Sequence, residues 1–155
     1  MDKPVVLTVN SEPKSEGSRD VTVIPIGDES QIIYRDWVNT NVRKVEQATN
    51  GAVGYVHVPD MLTTGLNEFV RQFSSQLRKK ALIVDVRGNG GGNVSPMLIE
   101  RLRREQVMVD ISRNGIPISD PQDMLFGPMV CLMNEFSASD GDLFPFRFKT
   151  LKMGP

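Results

Sequence analysis

Cysteine, histidine and long apolar runs are what this 155-residue sequence has least of. A single cysteine, Cys131, excludes an internal disulfide and a cysteine-based metal cluster. It lies inside the apolar run Met129-Val130-Cys131-Leu132-Met133, where a small buried core residue is expected. A single histidine, His57, leaves one candidate for an imidazole base. Its place among alternating apolar neighbours in Gly54–Val58 predicts a strand histidine facing the sheet surface or a loop. No His, Cys, Asp and Glu residues share metal-ligand spacing, so neither a metal nor a cofactor is expected. No apolar run approaches the ~20 residues of a membrane helix, and the charged N-terminus lacks a signal peptide's apolar stretch. A net charge of -1 gives no reason to expect nucleic acid or an anionic membrane as partner. A cytoplasmic setting is the default expectation.

What is present is an ordinary globular composition, 39% apolar and 24% charged, in a chain the size of one domain. Residues 4–9 and 21–26 read as β-branched strands joined by the polar loop Asn10–Asp20, with Pro25 marking an edge or an end. Ile32, Ile33, Trp37, Val38 and Val42 set a helical period from Ser30 to about Gln47, stopped by Thr49-Asn50-Gly51. Val53–Val58 is a strand. Thr63 or Thr64 caps a second helix whose apolar face is Leu66, Phe69, Val70, Phe73 and Leu77. Ala81–Val86, nearly all apolar, predicts a strand covered on both faces. A third helix starts at Ser95-Pro96, Val107–Ile111 is a further strand, and Arg113–Asp123 is loop. Strands alternating with helices predict an α/β domain with a mostly parallel sheet.

Two stretches carry chemistry. The first is the glycine turn Arg87-Gly88-Asn89-Gly90-Gly91-Gly92-Asn93 behind the buried strand. A dinucleotide fingerprint fails there, because its third glycine would stand at position 93, which is Asn93. A flexible connector is the plain alternative, but three consecutive glycines cost much conformational entropy to order, so a connector alone explains them poorly. They suit close backbone approach, with N–H groups free to face an anion, as an oxyanion hole requires. The second stretch is Asn134-Glu135-Phe136-Ser137-Ala138-Ser139-Asp140-Gly141-Asp142, between the apolar run and a helix. Ser137 with Asp140 three residues on is close to a capping box, so Ser137 is expected as the N-cap. Ser139 would then sit in the first helical turn, in the positive end field that favours an alkoxide-like nucleophile. Pro145 would shorten or kink that helix.

"ALIVDVRGNGGGN" followed by "GPMVCLMNEFSASDGDLF" is similar to the tricorn and C-terminal-processing serine peptidases. The aspartate directly after the second serine resembles the tricorn branch, as do "YRDWVNTNVRKVE" and "GYVHVPDMLTTGLNEFVRQF". The resemblance implies a ClpP/crotonase-like βα core over residues 29–155, truncated, and preceded in 1–28 by the last strands of a PDZ-like domain and a linker. It implies Ser139 as nucleophile, the Gly92 and Asp140 N–H groups as oxyanion hole, Gly91 beside the substrate, and Asp110 selecting basic residues from a neighbouring subunit. Peptides or proteins are the implied substrates and a homo-oligomer the implied assembly. The family's catalytic histidine falls upstream of these 155 residues, and a supporting glutamate downstream; His57 does not correspond to that histidine. The alternatives are a non-catalytic peptide-binding or scaffold module of the same fold and, further off, an acyl-CoA enzyme of the crotonase type.

Overall fold

The computed structural model describes residues 3–155, in two compact units that divide between Trp37 and Val38. The first unit holds an antiparallel hairpin of β1 (Val5–Val9) and β2 (Arg19–Val23), in the register Val5↔Val23 to Val9↔Arg19. Asn10 closes its loop by donating from Nδ2 to the Lys14 and Glu16 carbonyls. β2 ends before Pro25, which has no N–H to offer a ladder. Helix α1 (Ser30–Thr49) follows, its first amide capped by Asp28 Oδ1 at 2.9 Å. Asn50 and Gly51, at φ 50° and 75°, end it where expected.

The second unit is built on three parallel strands in the order β3 (Val53–His57), β4 (Ala81–Asp85), β7 (Met129–Leu132). β4 is central, with Leu82 and Val84 buried and Val86 directly after it fully buried, as a strand covered on both faces requires. α2 (Thr63–Gln76) joins β3 to β4, α3 (Ser95–Leu102) follows β4, and α4 (Asp140–Thr150) follows β7. The core gathers Phe69 and Phe73 of α2, stacked at 5.0 Å, Leu98 and Leu102 of α3, and Phe144 and Phe148 of α4 around the sheet. The fold is therefore α/β with a mostly parallel sheet. Each βα connection leaves the carboxyl end of its strand, so the turns after β3, β4 and β7 converge at one end of the sheet.

Four local expectations are corrected. Val107–Ile111 does not join the sheet. Its centre, β5 (Met108–Asp110), pairs antiparallel with β6 (Ile118–Asp120), inside the stretch expected to be loop. A partner a few residues away closes at a lower entropic cost than a more distant one. α2 is capped not by Thr63 or Thr64 but by Asp60, whose Oδ1 accepts the Leu62 and Gly65 amides at 2.9 and 2.8 Å. α4 starts at Asp140, with Ser139 rather than Ser137 as its N-cap. Nor is it shortened at Pro145, which lies mid-helix and gives up its own intrahelical bond while the helix runs on to Thr150.

Candidate functional site

The glycine turn is held on one side by the turn after β3. Met61 donates its N–H to the Gly91 carbonyl at 2.9 Å, and its own carbonyl accepts the Asn93 and Val94 amides at 2.7 and 3.1 Å. Gly92 thereby comes so close to Met61 that a Cβ added to it would lie 1.9 Å from the Met61 carbonyl oxygen. On the other side the turn meets the serine stretch. A Cβ at Gly91, where φ is 102°, would lie 2.7 Å from Ser139 Cβ and 3.0 Å from the Asp140 nitrogen. Only glycines allow this approach.

Ser137 and Ser139 divide differently from the sequence expectation. Ser137 is buried, and its hydroxyl donates to the Val86 carbonyl at 3.1 Å, fastening the serine stretch to the end of β4. The same oxygen accepts the Asn134 N–H at 3.5 Å and no amide of α4. Ser139 is exposed and takes φ 55° and ψ -124°, a conformation that costs a non-glycine residue on the order of 1–3 kcal/mol. Its hydroxyl makes no cap bond to α4. Among the described residues, neither the Gly92 nor the Asp140 N–H has a protein acceptor.

The Asp140 side chain does something its sequence position did not announce. Its buried carboxylate accepts the Ser95 N–H at 3.0 Å and the Ser95 hydroxyl at 2.5 Å, and it pairs with Arg147 at 2.9 Å. Arg147 also donates to the Ser95 hydroxyl. One carboxylate thus joins the first turns of α3 and α4. Asn89, fully buried, was likewise missed among the glycines: its Nδ2 donates to the Val58 carbonyl and its Oδ1 accepts the Gly91 amide, both at 2.9 Å. The only sequence signal for it is a side chain with both donor and acceptor set inside a glycine run.

Behind the turn lies a buried polar cluster. Asp85, at the end of β4, accepts Tyr55 Oη at 2.6 Å and a forked pair of bonds from Arg87. Burial would push the Asp85 carboxyl up, but the Arg87 and Tyr55 bonds outweigh it and hold it below the ordinary carboxylate range. Burial, aided by the hydrogen bond to Asp85, raises the Tyr55 phenol. His57 is buried, its ring turned towards the loop after β4 rather than the sheet surface. Gln72 of α2 accepts the His57 N–H and donates to the His57 carbonyl, and the His57 Nε2 faces the Arg87 carbonyl oxygen at 3.2 Å. Burial lowers its pKa. Cys131 is mostly enclosed, and burial pushes its thiol up to about 12.

The structure therefore brings Gly91, Gly92, Ser139 and Asp140 together, while Asp110 stands exposed at the end of β5 on the separate hairpin. Among the described residues, no group of three or more His, Cys, Asp or Glu is placed to hold a metal ion.

Comparison with known proteins identifies the family. The chain is 40% identical over 153 residues to the tricorn protease of Thermoplasma volcanium, covering 99% of this chain and 15% of that protein. It is 41% identical over 141 residues to the tricorn protease of Thermoplasma acidophilum, covering 91% and 13%. It superimposes on a crystal structure of the tricorn protease with a TM-score of 0.87 at 38% identity, over 99% of this chain and 15% of that one. The chain thus spans about 15% of the length of these relatives. The family model for peptidase family S41 matches residues 52–155, the stretch containing both the glycine turn and the serine turn, and the chain belongs to that family.

Proposed function

We propose that this chain carries the nucleophile half of a tricorn-like serine endopeptidase site. The observation that carries the reading is Ser139, exposed on a strained turn between β7 and α4, with Gly91 packed against its Cβ. Ser139 Oγ attacks a peptide carbonyl and gives its proton to a histidine supplied from outside these 155 residues. The oxyanion of the tetrahedral intermediate accepts from the Gly92 and Asp140 N–H groups. Collapse breaks the peptide C–N bond, the departing amine takes the proton from the histidine, and water then hydrolyses the acyl-enzyme.

The relatives' name supports peptides or proteins as substrates. Asp110 is assigned to basic residues before the cut bond, reached from a neighbouring copy in a homo-oligomer. The sheet is read as part of a ClpP/crotonase-like core, and residues 1–28 as the final strands of a PDZ-like domain with a linker. His57 is given no catalytic role, since its ring faces the Arg87 carbonyl inside the cluster behind the turn. The chain alone is expected to be close to inactive, because nucleophile and base act as a unit.

The test is fluorophosphonate labelling of the full-length protein and of its Ser139→Ala variant. Labelling that Ser139→Ala abolishes supports the reading; unchanged labelling in that variant sinks it. No labelling of either protein, with peptide binding retained, favours the scaffold alternative.

A further inference from the structure

Resting on the assignment of Ser139, Gly92 and Asp140, we infer that Asn89 is the positioning residue that fixes the spacing between the two amides of the oxyanion hole. Its two amide-side-chain atoms hold the glycine-turn half: Nδ2 donates to the Val58 carbonyl and Oδ1 accepts the Gly91 N–H, both at 2.9 Å. Its main chain holds the serine half. The Asn89 carbonyl accepts the Ala138 N–H at 2.9 Å, one residue before Ser139. The same carbonyl lies where a Cβ on Gly141 would be only 2.2 Å away, so the first turn of α4 rests on it. Asn89 itself is anchored to β4 by its N–H to the Val86 carbonyl at 3.1 Å, and it is fully buried.

One residue thus sits between Gly92 and Asp140, with side-chain bonds to one side and main-chain bonds to the other. Shortening the side chain frees the Gly91 amide and the Val58 carbonyl but leaves the Ala138 bond in place. The predicted consequence is movement of Gly92 relative to Ser139, not loss of the serine turn. A displacement near 1 Å at such a site costs on the order of 100-fold, similar to removal of one oxyanion donor. Aspartate cannot replace it, because an ionised carboxylate donates nothing to Val58.

The experiment measures peptide cleavage by the full-length protein carrying Asn89→Ala or the milder Asn89→Ser, with folding checked by circular dichroism. It also measures inhibition by a peptide boronate, which forms a tetrahedral adduct, and peptide affinity in a Ser139→Ala background. The expected result is kcat lower by about 100-fold with KM within about twofold. Boronate affinity should fall by the same factor as kcat/KM, while affinity of the uncut peptide is unchanged. A folded variant with unchanged kcat overturns the inference, and so does a rise in KM alone. If both variants unfold, Asn89 is a structural residue and the inference fails. Full cleavage by Ser139→Ala would defeat the underlying site reading instead; an inactive Ser139→Ala beside a fully active Asn89→Ser would defeat only the role of Asn89.

Discussion

Asp140 accepts the Ser95 amide at 3.0 Å across 45 residues of sequence, so the first turn of α4 completes the first turn of α3. Both helix ends have N–H groups without intrahelical acceptors, and a carboxylate shared between them is stabilised by both dipoles. Arg147 balances the charge from two turns further along α4. Arg147→Met removes that balance and leaves a buried carboxylate with Ser95 alone. A fully buried pair broken on one side costs about 3–5 kcal/mol; Arg147 is partly exposed, so about 1–3 kcal/mol is expected. Urea denaturation measures it. Asp140→Asn added to Arg147→Met should recover part of the loss, and strict additivity of the two would refute the pairing.

Gly88 and Gly91 separate strain from contact. Both have positive φ, 73° and 102°, but a Cβ at Gly88 meets nothing within 4 Å. Gly88→Ala therefore pays only for its backbone, about 1 kcal/mol, and should keep activity in the full-length protein. Gly91→Ala drives a methyl group to 2.7 Å from Ser139 Cβ and 2.8 Å from the Ala138 carbonyl oxygen, and the turns must part. Cleavage should fall at least 100-fold, by the displacement argument applied to Asn89. Equal activity of the two variants would contradict the close packing of the turns.

His57 is the one histidine in the chain, which makes its titration separable. Its folded pKa is lowered, chiefly by burial, below the ordinary value near 6.5. The unfolded chain therefore binds a proton at His57 before the folded chain does. The stability from keeping it neutral is fully present above about pH 6.5 and is lost as pH falls towards the folded pKa. The unfolding free energy from urea denaturation should drop between pH 7 and pH 5, by at most about 1.4 kcal/mol per pH unit for one proton. His57→Asn should flatten that slope. A slope equally steep in the variant would place the titrating group elsewhere. Asp85, held low by Arg87 and Tyr55, adds its own loss only below about pH 4, outside that window.

The elements that periodicity could reach were legible. The apolar run of β4 and the helical face of α2 are local patterns, and the structure buries Phe69 and Phe73 with Leu82 and Val84 and packs Leu66 and Leu77 against them, while Val70 of that face stays exposed. What the sequence hid depends on bonds between distant residues. Ser137 looked like a cap because its neighbours fit one, but the Val86 carbonyl takes its hydroxyl. Asn89 has no periodic or motif signal among the glycines, and its bonds reach Val58 and Ala138. β5 lay within a predicted strand, but β6 and its pairing were hidden for the opposite reason. β6 has three residues, too short to show alternation.

Asp110 gives the last prediction. It ends β5, paired with Ile118, and is exposed in this chain. An ion pair in open solvent is worth at most about 1 kcal/mol, roughly a fivefold preference. If Asp110 contacts a basic substrate side chain only from the bare surface of one copy, Asp110→Asn should change selectivity no more than that. If a neighbouring copy covers the hairpin when it reaches the site, the pair is desolvated, and losing one partner costs about 2–5 kcal/mol. Selectivity for arginine over leucine before the cut bond should then fall by 30-fold or more (roughly, from that range). The measurement is kcat/KM for a matched pair of peptides, with wild-type and Asp110→Asn full-length protein. Since Asp110 is exposed, the variant's denaturation midpoint should not move, which separates a loss of recognition from a loss of fold. An unaltered arginine preference would remove Asp110 from the site, whereas a fall confined to fivefold would keep it there without a covering subunit.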